Sequence, residues 1–140
     1  MLQTVATFPL QLKLVHLAEN RWQLDEPFVY VTRAGRVITV PAGFETDGGS
    51  IPRPLWWLYP PFGGRCDEAY VIHDYAYAEA ERLELSRAEA DALMLEAMEV
   101  LGFRASGRWI LYQTLRLFGG LAWRKHRRAG AMLAGYGAVR

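Results

Sequence analysis

The spacing of the hydrophobic residues changes once along this chain, and that change restricts the fold more than any other feature. Before residue 45, apolar side chains alternate with polar ones, as in strands with one buried face. Residues 28–32 and 36–40 are rich in β-branched and aromatic side chains, and Ala34-Gly35 between them is typical of a hairpin turn. After residue 66 the apolar residues follow helical spacing. Strands followed by helices predict an α+β fold with N-terminal antiparallel strands.

The 140 residues are enough for one hydrophobic core, so we expect a single domain. Within it, residues 1–45 are predicted to be mainly β, and residues 66–140 mainly α. Residues 46–65 lie between them and are rich in Gly, Pro and Trp, which predicts a long irregular loop. Phe8, Leu10, Leu12 and Leu14 alternate with polar or proline residues, so the first strand is expected to cover them.

Composition excludes several classes of protein. A net charge of +1 argues against a protein that binds a polyanion over its whole surface, although the local charge is uneven. The single cysteine, Cys66, cannot form a disulfide framework within the chain. No apolar stretch approaches the ~18 residues of a membrane-spanning helix, and the N-terminus lacks the pattern of a signal peptide.

The helical part is predicted to contain an antiparallel pair. A first helix is expected over residues 67–83. Ser86 followed by Glu89 has the spacing of a capping box, which predicts a second helix that ends near Gly102. The link between the two helices is short, so they should pack side by side and run in opposite directions. A third helix is expected after Ser106, with Gly119-Gly120 interrupting it.

His73 is the strongest candidate for a catalytic base. Tyr77 lies one helical turn further along the same face, where its phenol can contact the imidazole. Asp91 lies among apolar residues on the second helix, and a carboxylate there must be paired or neutralised. Asp91 could orient His73, as a carboxylate does in many bases. The alternatives are a core histidine bonded to a carbonyl or tyrosine, and an ordinary ion pair of Asp91 with Arg82 or Arg87.

A polar, glycine-rich turn covers residues 46–53, beginning at Thr46, and is the densest polar turn of the chain. Asp47 in this turn and Asp74 on the first helix could together hold a hard cation such as Ca²⁺, with carbonyls and water as further ligands. The alternative is a turn in which Asp47 caps its own backbone and Arg53 forms a structural ion pair. A zinc site is poorly supported, because the three histidines and Cys66 show no ligand spacing. No cofactor-binding motif is present.

Two further segments could contact a partner. Trp56, Trp57 and Tyr59, with Arg53 nearby, are predicted to form an apolar surface that meets a substrate or another subunit. Residues 124–128 are the one run of positive charge. We interpret this run as the solvated C-terminal end of a helix, and its alternative is a surface for acidic lipid or nucleic acid.

Several ordered motifs resemble a family of uncharacterised phage and prophage proteins known as domain of unknown function 1353. The motifs are VPAGFETDGGSIPR at residues 40–53, AYVIHDYAY at residues 69–77, SR and AD at residues 86–87 and 90–91 with Met98, and the segment 112–119. The resemblance spans residues 22–123. It implies a bacteriophage or prophage origin and synthesis in the bacterial host cytoplasm, but no settled activity.

A second resemblance is to the core helix pair of secreted phospholipases A2, and it rests on His73-Asp74, Tyr77 and the more distant Asp91. By that resemblance, His73 is the base that activates water. Asp74 is the calcium ligand, and Tyr77 and Asp91 hold the histidine in place. Asp47 with its glycines stands where that family has a calcium loop. The chain departs from the family in having no disulfides and a different loop pattern.

Two hypotheses follow. The first is a hydrolase-like site, with His73, Asp91 and Tyr77 as catalytic residues, Asp74 and Asp47 holding Ca²⁺, and a lipid or peptidoglycan substrate in the cell envelope. The second is a non-catalytic virion protein of the phage tail or tail tip. Its partners would be other tail proteins, and the His–Asp cluster would be a buried structural network.

Overall fold

The computed structural model describes residues 5–19, 21–46 and 66–137, with side chains placed as far as residue 128. The strands in these ranges are β1 (Leu14–Ala18), β2 (Arg21–Leu24), β3 (Phe28–Val31), β4 (Val37–Val40) and β5 (Glu45–Thr46). The helices are α1 (Asp67–Ala78), α2 (Ala80–Leu83), α3 (Arg87–Val100), α4 (Ala105–Phe118) and α5 (Gly120–Gly137). The order of these elements confirms the α+β fold class.

The strands form two small antiparallel sheets. One has the order β1-β2-β5, and the other is the predicted hairpin of β3 and β4. Gly35 has a φ of 85° in the hairpin turn, a conformation that glycine adopts without steric cost. Phe28 and Tyr30 point into the core, and the Tyr30 hydroxyl donates to Glu96 on α3 at 2.6 Å. The hairpin is therefore fixed to the second helix of the predicted pair.

The expected strand over residues 8–14 is wrong in its first part. Residues 8–13 form no strand, and β1 begins only at Leu14. Pro9 lacks an amide donor, so it cannot sustain a strand ladder. Phe8 instead packs its ring on Phe28 and Tyr30, with centroids 5.5 and 4.7 Å apart. The alternation of apolar and polar residues in this segment therefore comes from packing across the hairpin, not from a strand.

Helix α1 lies at the centre of the fold. All nine residues from Ala69 to Tyr77 are buried, because both sheets and several helices surround this segment. The predicted helix over 67–83 breaks at Glu79. Arg127 on α5 donates to the carbonyls of Tyr77 and Ala78, at 2.6 and 3.3 Å, which a continuous helix would use itself.

Helix α3 begins and ends where the sequence predicts. Ser86 and Glu89 form the capping box in both directions. At the other end the Gly102 amide bonds to Glu99 and the Phe103 amide bonds to Met98, which is the Schellman pattern with glycine at a φ of 84°. These two caps set where α3 begins and ends, and they thereby set the position of Asp91 along α3 relative to α1.

The basic run lies in the first half of α5, so its interpretation as the end of a helix is wrong. Arg127 places its positive charge at the C-terminus of α1 instead, where helix carbonyls favour a cation. None of the helices in the described ranges is long and apolar enough to cross a membrane.

Candidate functional site

Asp91 is the centre of a buried network that joins three helices. Its side chain is inaccessible to solvent. One carboxylate oxygen, Oδ1, accepts from His73 Nε2 at 2.9 Å and from the Tyr77 hydroxyl at 2.5 Å. The other, Oδ2, accepts from Arg116 Nη1 at 2.8 Å. Three donors satisfy a charge that would otherwise be costly to bury.

The local sequence explains how these side chains meet. His73 and Tyr77 are four residues apart on α1 and point to the same side, with ring centroids 4.2 Å apart. The tight connection through α2 returns α3 alongside them and brings Asp91 to their level. Arg116 reaches Asp91 from the last turn of α4. Arg87 on α3 holds that turn by donating to the Leu115 and Arg116 carbonyls, at 3.2 and 3.0 Å.

The network keeps Asp91 ionised. Burial alone favours the protonated form of Asp91, but hydrogen bonds from His73 and Tyr77, together with the Arg116 guanidinium, outweigh it and lower the pKa of Asp91. Burial and the hydrogen bond to Asp91 raise the pKa of Tyr77, so its phenol stays protonated and acts as a donor. Asp91 is therefore ionised and the Tyr77 phenol protonated at neutral pH.

The ionised carboxylate determines the tautomer of His73. A carboxylate only accepts hydrogen bonds, so Nε2 must carry the proton that points at Asp91. In the neutral ring the lone pair is then at Nδ1. This atom is buried and has no hydrogen-bond partner among the described residues. Buried polar atoms are nearly always paired, so Nδ1 is suited to a water molecule or a substrate group.

Asp74 points away from this network towards a cleft. Thr46 on β5 donates its hydroxyl to Asp74 Oδ2. The cleft has a volume of about 290 Å³, and its walls come from β2 and β5, the end of α1 and the first half of α5. The residues lining it are Arg21, Phe44, Glu45, Thr46, Asp74, Ala78, Lys125 and His126. Two consecutive residues of α1 thus belong to different sites. His73 is part of the buried network, and Asp74 lines the cleft.

The chemistry of Asp74 suits a hard cation only in part. Its carboxylate is of the type that Ca²⁺ prefers, and it lies in the cleft wall. Within the described ranges, however, no three His, Cys, Asp or Glu residues are grouped so as to hold a metal ion. Asp74 is thus a potential single protein ligand, which would leave further coordination to carbonyls or water.

A family model described as a protein of unknown function, DUF1353, matches residues 22–115, about two thirds of the chain. The chain belongs to the DUF1353 family. No curated protein and no solved structure matches it. The matched segment contains His73, Asp74, Tyr77 and Asp91, and it ends just before Arg116. The network of this DUF1353 protein therefore lies almost entirely within the family's segment.

The structure brings together most of the predicted site residues that it describes. His73, Tyr77 and Asp91 form one network, as the sequence predicts, and Asp74 lies beside it. The pairing of Asp91 with Arg82 or Arg87 is not found, since Arg82 contacts Glu79 and Arg87 the end of α4. The remaining predicted residues lie outside the described part of the chain: Asp47, Arg53, Trp56, Trp57 and Tyr59.

Sequence reasoning missed two residues of this DUF1353 site. Arg116 is separated from Asp91 by a whole helix–turn–helix segment, and no local spacing links the two. A signal was nevertheless present, because a carboxylate on an apolar face needs a cation and Arg116 interrupts the apolar residues of α4. Thr46 appeared only as part of the polar turn, whereas β5 holds it against Asp74.

The stability of this DUF1353 protein should fall in acid through Asp91. The folded chain holds the pKa of Asp91 below its unfolded value of 3.8, so below that pH the unfolded state binds more protons. The contribution of ionised Asp91 to the free energy of unfolding is complete above pH 3.8. It is lost as the pH falls through the pKa of Asp91 in the folded state, by at most about 1.4 kcal/mol per pH unit. Urea unfolding of the wild type and Asp91→Asn between neutral pH and pH 3 measures it. An equal pH dependence in both proteins would contradict the assignment.

Gly119, between α4 and α5, should tolerate no side chain. A Cβ there would lie 2.5 Å from the Leu115 carbonyl oxygen and 2.8 Å from the Tyr77 hydroxyl. Gly119→Ala should therefore displace Tyr77 from Asp91 and lower the free energy of unfolding by about 1–3 kcal/mol. Gly120→Ala is the matched control. A Cβ at Gly120 would lie 3.9 Å from its nearest neighbour, Arg87 Nη1, and alanine favours a helix. Chemical denaturation compares the two variants, and equal losses would refute the close contact.

Proposed function

We propose that this chain is a phage or prophage hydrolase that cleaves an ester or amide of the bacterial cell envelope, with His73 as the general base. One observation carries the proposal. The His73 ring is fixed on one side by Asp91, while the opposite nitrogen, Nδ1, is buried without a partner among the described residues. An oriented imidazole with an available lone pair is the arrangement of a base that activates water.

The proposed reaction proceeds in two proton transfers. His73 Nδ1 takes a proton from water as the water oxygen bonds to the carbonyl carbon of the substrate, and the carbonyl electron pair moves to its oxygen. The intermediate then collapses, the bond to the leaving oxygen or nitrogen breaks, and His73 returns the proton to it. Asp91 and Tyr77 keep the ring oriented throughout, and Asp91 stabilises the imidazolium.

Asp74 is proposed to hold Ca²⁺ at the cleft, a role in which Asp47 is its predicted partner. The ion would supply positive charge near the developing oxyanion. The position of Asp74 supports this proposal, since its carboxylate lies in the cleft wall and is next in the chain to His73. The phospholipase A2 resemblance makes a phospholipid ester the first substrate to test, and peptidoglycan the second.

A second candidate function is favoured by the burial of His73. Its side chain is only 2% exposed, and it does not line the cleft. A sealed His–Asp–Tyr–Arg cluster suits a structural protein of the phage tail, in which the network fixes the helices and other tail proteins are the partners. The two candidates differ in whether water and substrate reach Nδ1.

Hydrolysis assays with the full chain distinguish the candidates. Fatty-acid release from phosphatidylglycerol vesicles and fragment release from peptidoglycan are measured with calcium and with a chelator. We expect calcium-dependent release that falls about 100-fold or more in Asp74→Asn, because the oxyanion loses its counter-charge. Glu45→Gln is the matched control, since Glu45 lines the same cleft and pairs with Arg21. No release from either substrate by folded protein would favour the structural candidate.

A further inference from the structure

The charge of this chain is divided sharply along its length. All fifteen acidic residues precede Val100, whereas residues 100–140 contain eight of the sixteen Lys and Arg residues and no acidic residue. The first 99 residues therefore have a formal charge of −7 and the last 41 a charge of +8. Helices α4 and α5 belong to this cationic part. The net charge of +1 conceals two regions of opposite sign.

Helix α5 has one face against α1 and another in solvent. Trp123 and Arg127 lie on the inner face. The Trp123 ring contacts the Tyr77 ring in a T-shaped arrangement, with centroids 5.1 Å apart. Arg124, Lys125 and Arg128 lie on the other side and are exposed. Leu121 is one turn before Lys125 and is 77% exposed. Helical spacing therefore aligns three cations with an apolar side chain on the outer face.

Large apolar side chains are also exposed on α4, the helix that directly precedes α5 in the chain. Leu117 is 75% exposed and Phe118 is 62% exposed at the end of α4, directly before the glycine junction. Trp109 on the same helix is also 62% exposed. Grouped apolar side chains on a surface usually mark an interaction site. We call Leu117, Phe118, Leu121, Arg124, Lys125 and Arg128 together the basic–apolar surface.

We infer that the basic–apolar surface docks onto an anionic lipid bilayer. Apolar side chains next to cations fit the boundary between acyl chains and acidic headgroups, in which each type of side chain has a partner. A nucleic-acid duplex would satisfy the cations but leave Leu117, Phe118 and Leu121 without apolar contacts. The absence of any acidic residue in residues 100–140 favours a uniformly anionic partner over a protein surface of mixed charge.

Docking in this way would bring the cleft to the membrane. Lys125 belongs to the basic–apolar surface and also lines the cleft, together with His126 and Asp74. A headgroup bound at Lys125 would thus lie at the cleft entrance. The purpose of this surface rests on the proposed envelope-directed function, but the binding itself does not require hydrolysis.

Vesicle co-sedimentation of the full chain tests the inference. Vesicles of phosphatidylcholine with phosphatidylglycerol should bind the protein, and vesicles of phosphatidylcholine alone should not. Arg124→Glu/Arg128→Glu, which spares the cleft, should weaken binding by about 30-fold or more, because each cation contributes about fivefold. Leu117→Ser/Leu121→Ser should weaken it at least about tenfold.

Matched controls separate local contacts from general charge and hydrophobicity. Lys13→Glu/Arg33→Glu changes the net charge equally at side chains that are 48% and 58% exposed in other parts of the fold. Val15→Ser/Val37→Ser removes exposed apolar groups from the sheets. Both control proteins should bind as the wild type does. An equal loss of vesicle binding in the control proteins would overturn the inference. Equal binding to vesicles with and without phosphatidylglycerol would overturn it as well.

Two other results would also overturn it. One is tighter binding to a DNA or RNA duplex that is insensitive to the leucine substitutions. The other is a dimer that Leu117→Ser/Leu121→Ser dissociates, with no vesicle binding by the wild type. His73→Gln should bind vesicles as the wild type does. Vesicle binding by a wild type that hydrolyses neither substrate refutes only the proposed function. Hydrolysis of a soluble ester without vesicle binding refutes only the docking surface.

Discussion

His73→Gln is expected to lower the rate of hydrolysis by about 10²–10⁴-fold, the usual contribution of a positioned general base. Glutamine can still donate an amide hydrogen to Asp91, but it offers no basic nitrogen where Nδ1 lies. The free energy of unfolding should change little, because Tyr77 and Arg116 remain bonded to Asp91. Initial rates on the substrate found for the wild type, together with urea unfolding, measure both quantities.

The control for this substitution is His16→Gln, since His16 is exposed on β1 and packs only against Trp22 among the ring contacts of the described residues. It should leave the rate unchanged. Retention of full activity in His73→Gln would exclude His73 as the base. A wild type without activity, combined with a large loss of stability in His73→Gln, would identify the network as structural.

Asp91→Ala is expected to lower the free energy of unfolding by about 3–5 kcal/mol, the usual effect of removing one member of a buried ion pair. The substitution leaves Arg116, the Tyr77 hydroxyl and His73 Nε2 without their common acceptor. It also leaves a space in a close-packed interior. Equilibrium unfolding in urea, followed by the loss of helical signal, measures the change.

Asp91→Asn serves as the conservative variant, because it keeps the shape of the side chain and one acceptor oxygen while removing the charge. It should be less destabilising than alanine and should allow folding if Asp91→Ala does not fold. Glu99→Gln is the surface control, since Glu99 forms an exposed pair with Arg33 and should change stability by no more than about 1 kcal/mol. A similar small loss in Asp91→Ala would mean that the network contributes little.

The parts of the site that sequence reasoning predicted are those set by short-range rules. The capping box of Ser86 and Glu89 starts α3, and the short return through α2 brings Asp91 beside His73. The four-residue spacing of His73 and Tyr77 places both on one face of α1. Each step depends on residues near one another in the sequence, so pattern and propensity were sufficient.

The parts that sequence reasoning could not predict depend on distant contacts. Arg116 reaches Asp91 from α4, and the angle between α3 and α4 is not encoded in any single segment. The nine buried positions of α1 show no amphipathic pattern, since a helix enclosed on all sides has no polar face to display. Phe8 alternates like a strand residue but packs across the hairpin, where tertiary contacts decide its conformation.

The convergence of three helices on Asp91 has a consequence for how the molecule opens. If α4 detached alone, Arg116 would leave and the carboxylate would keep its charge in an apolar interior, with His73 and Tyr77 as its remaining donors. If α1 detached, both His73 and Tyr77 would leave. Opening one helix alone therefore gains little conformational entropy and has a large electrostatic cost. The three helices should exchange their amide hydrogens with the solvent as one cooperative unit.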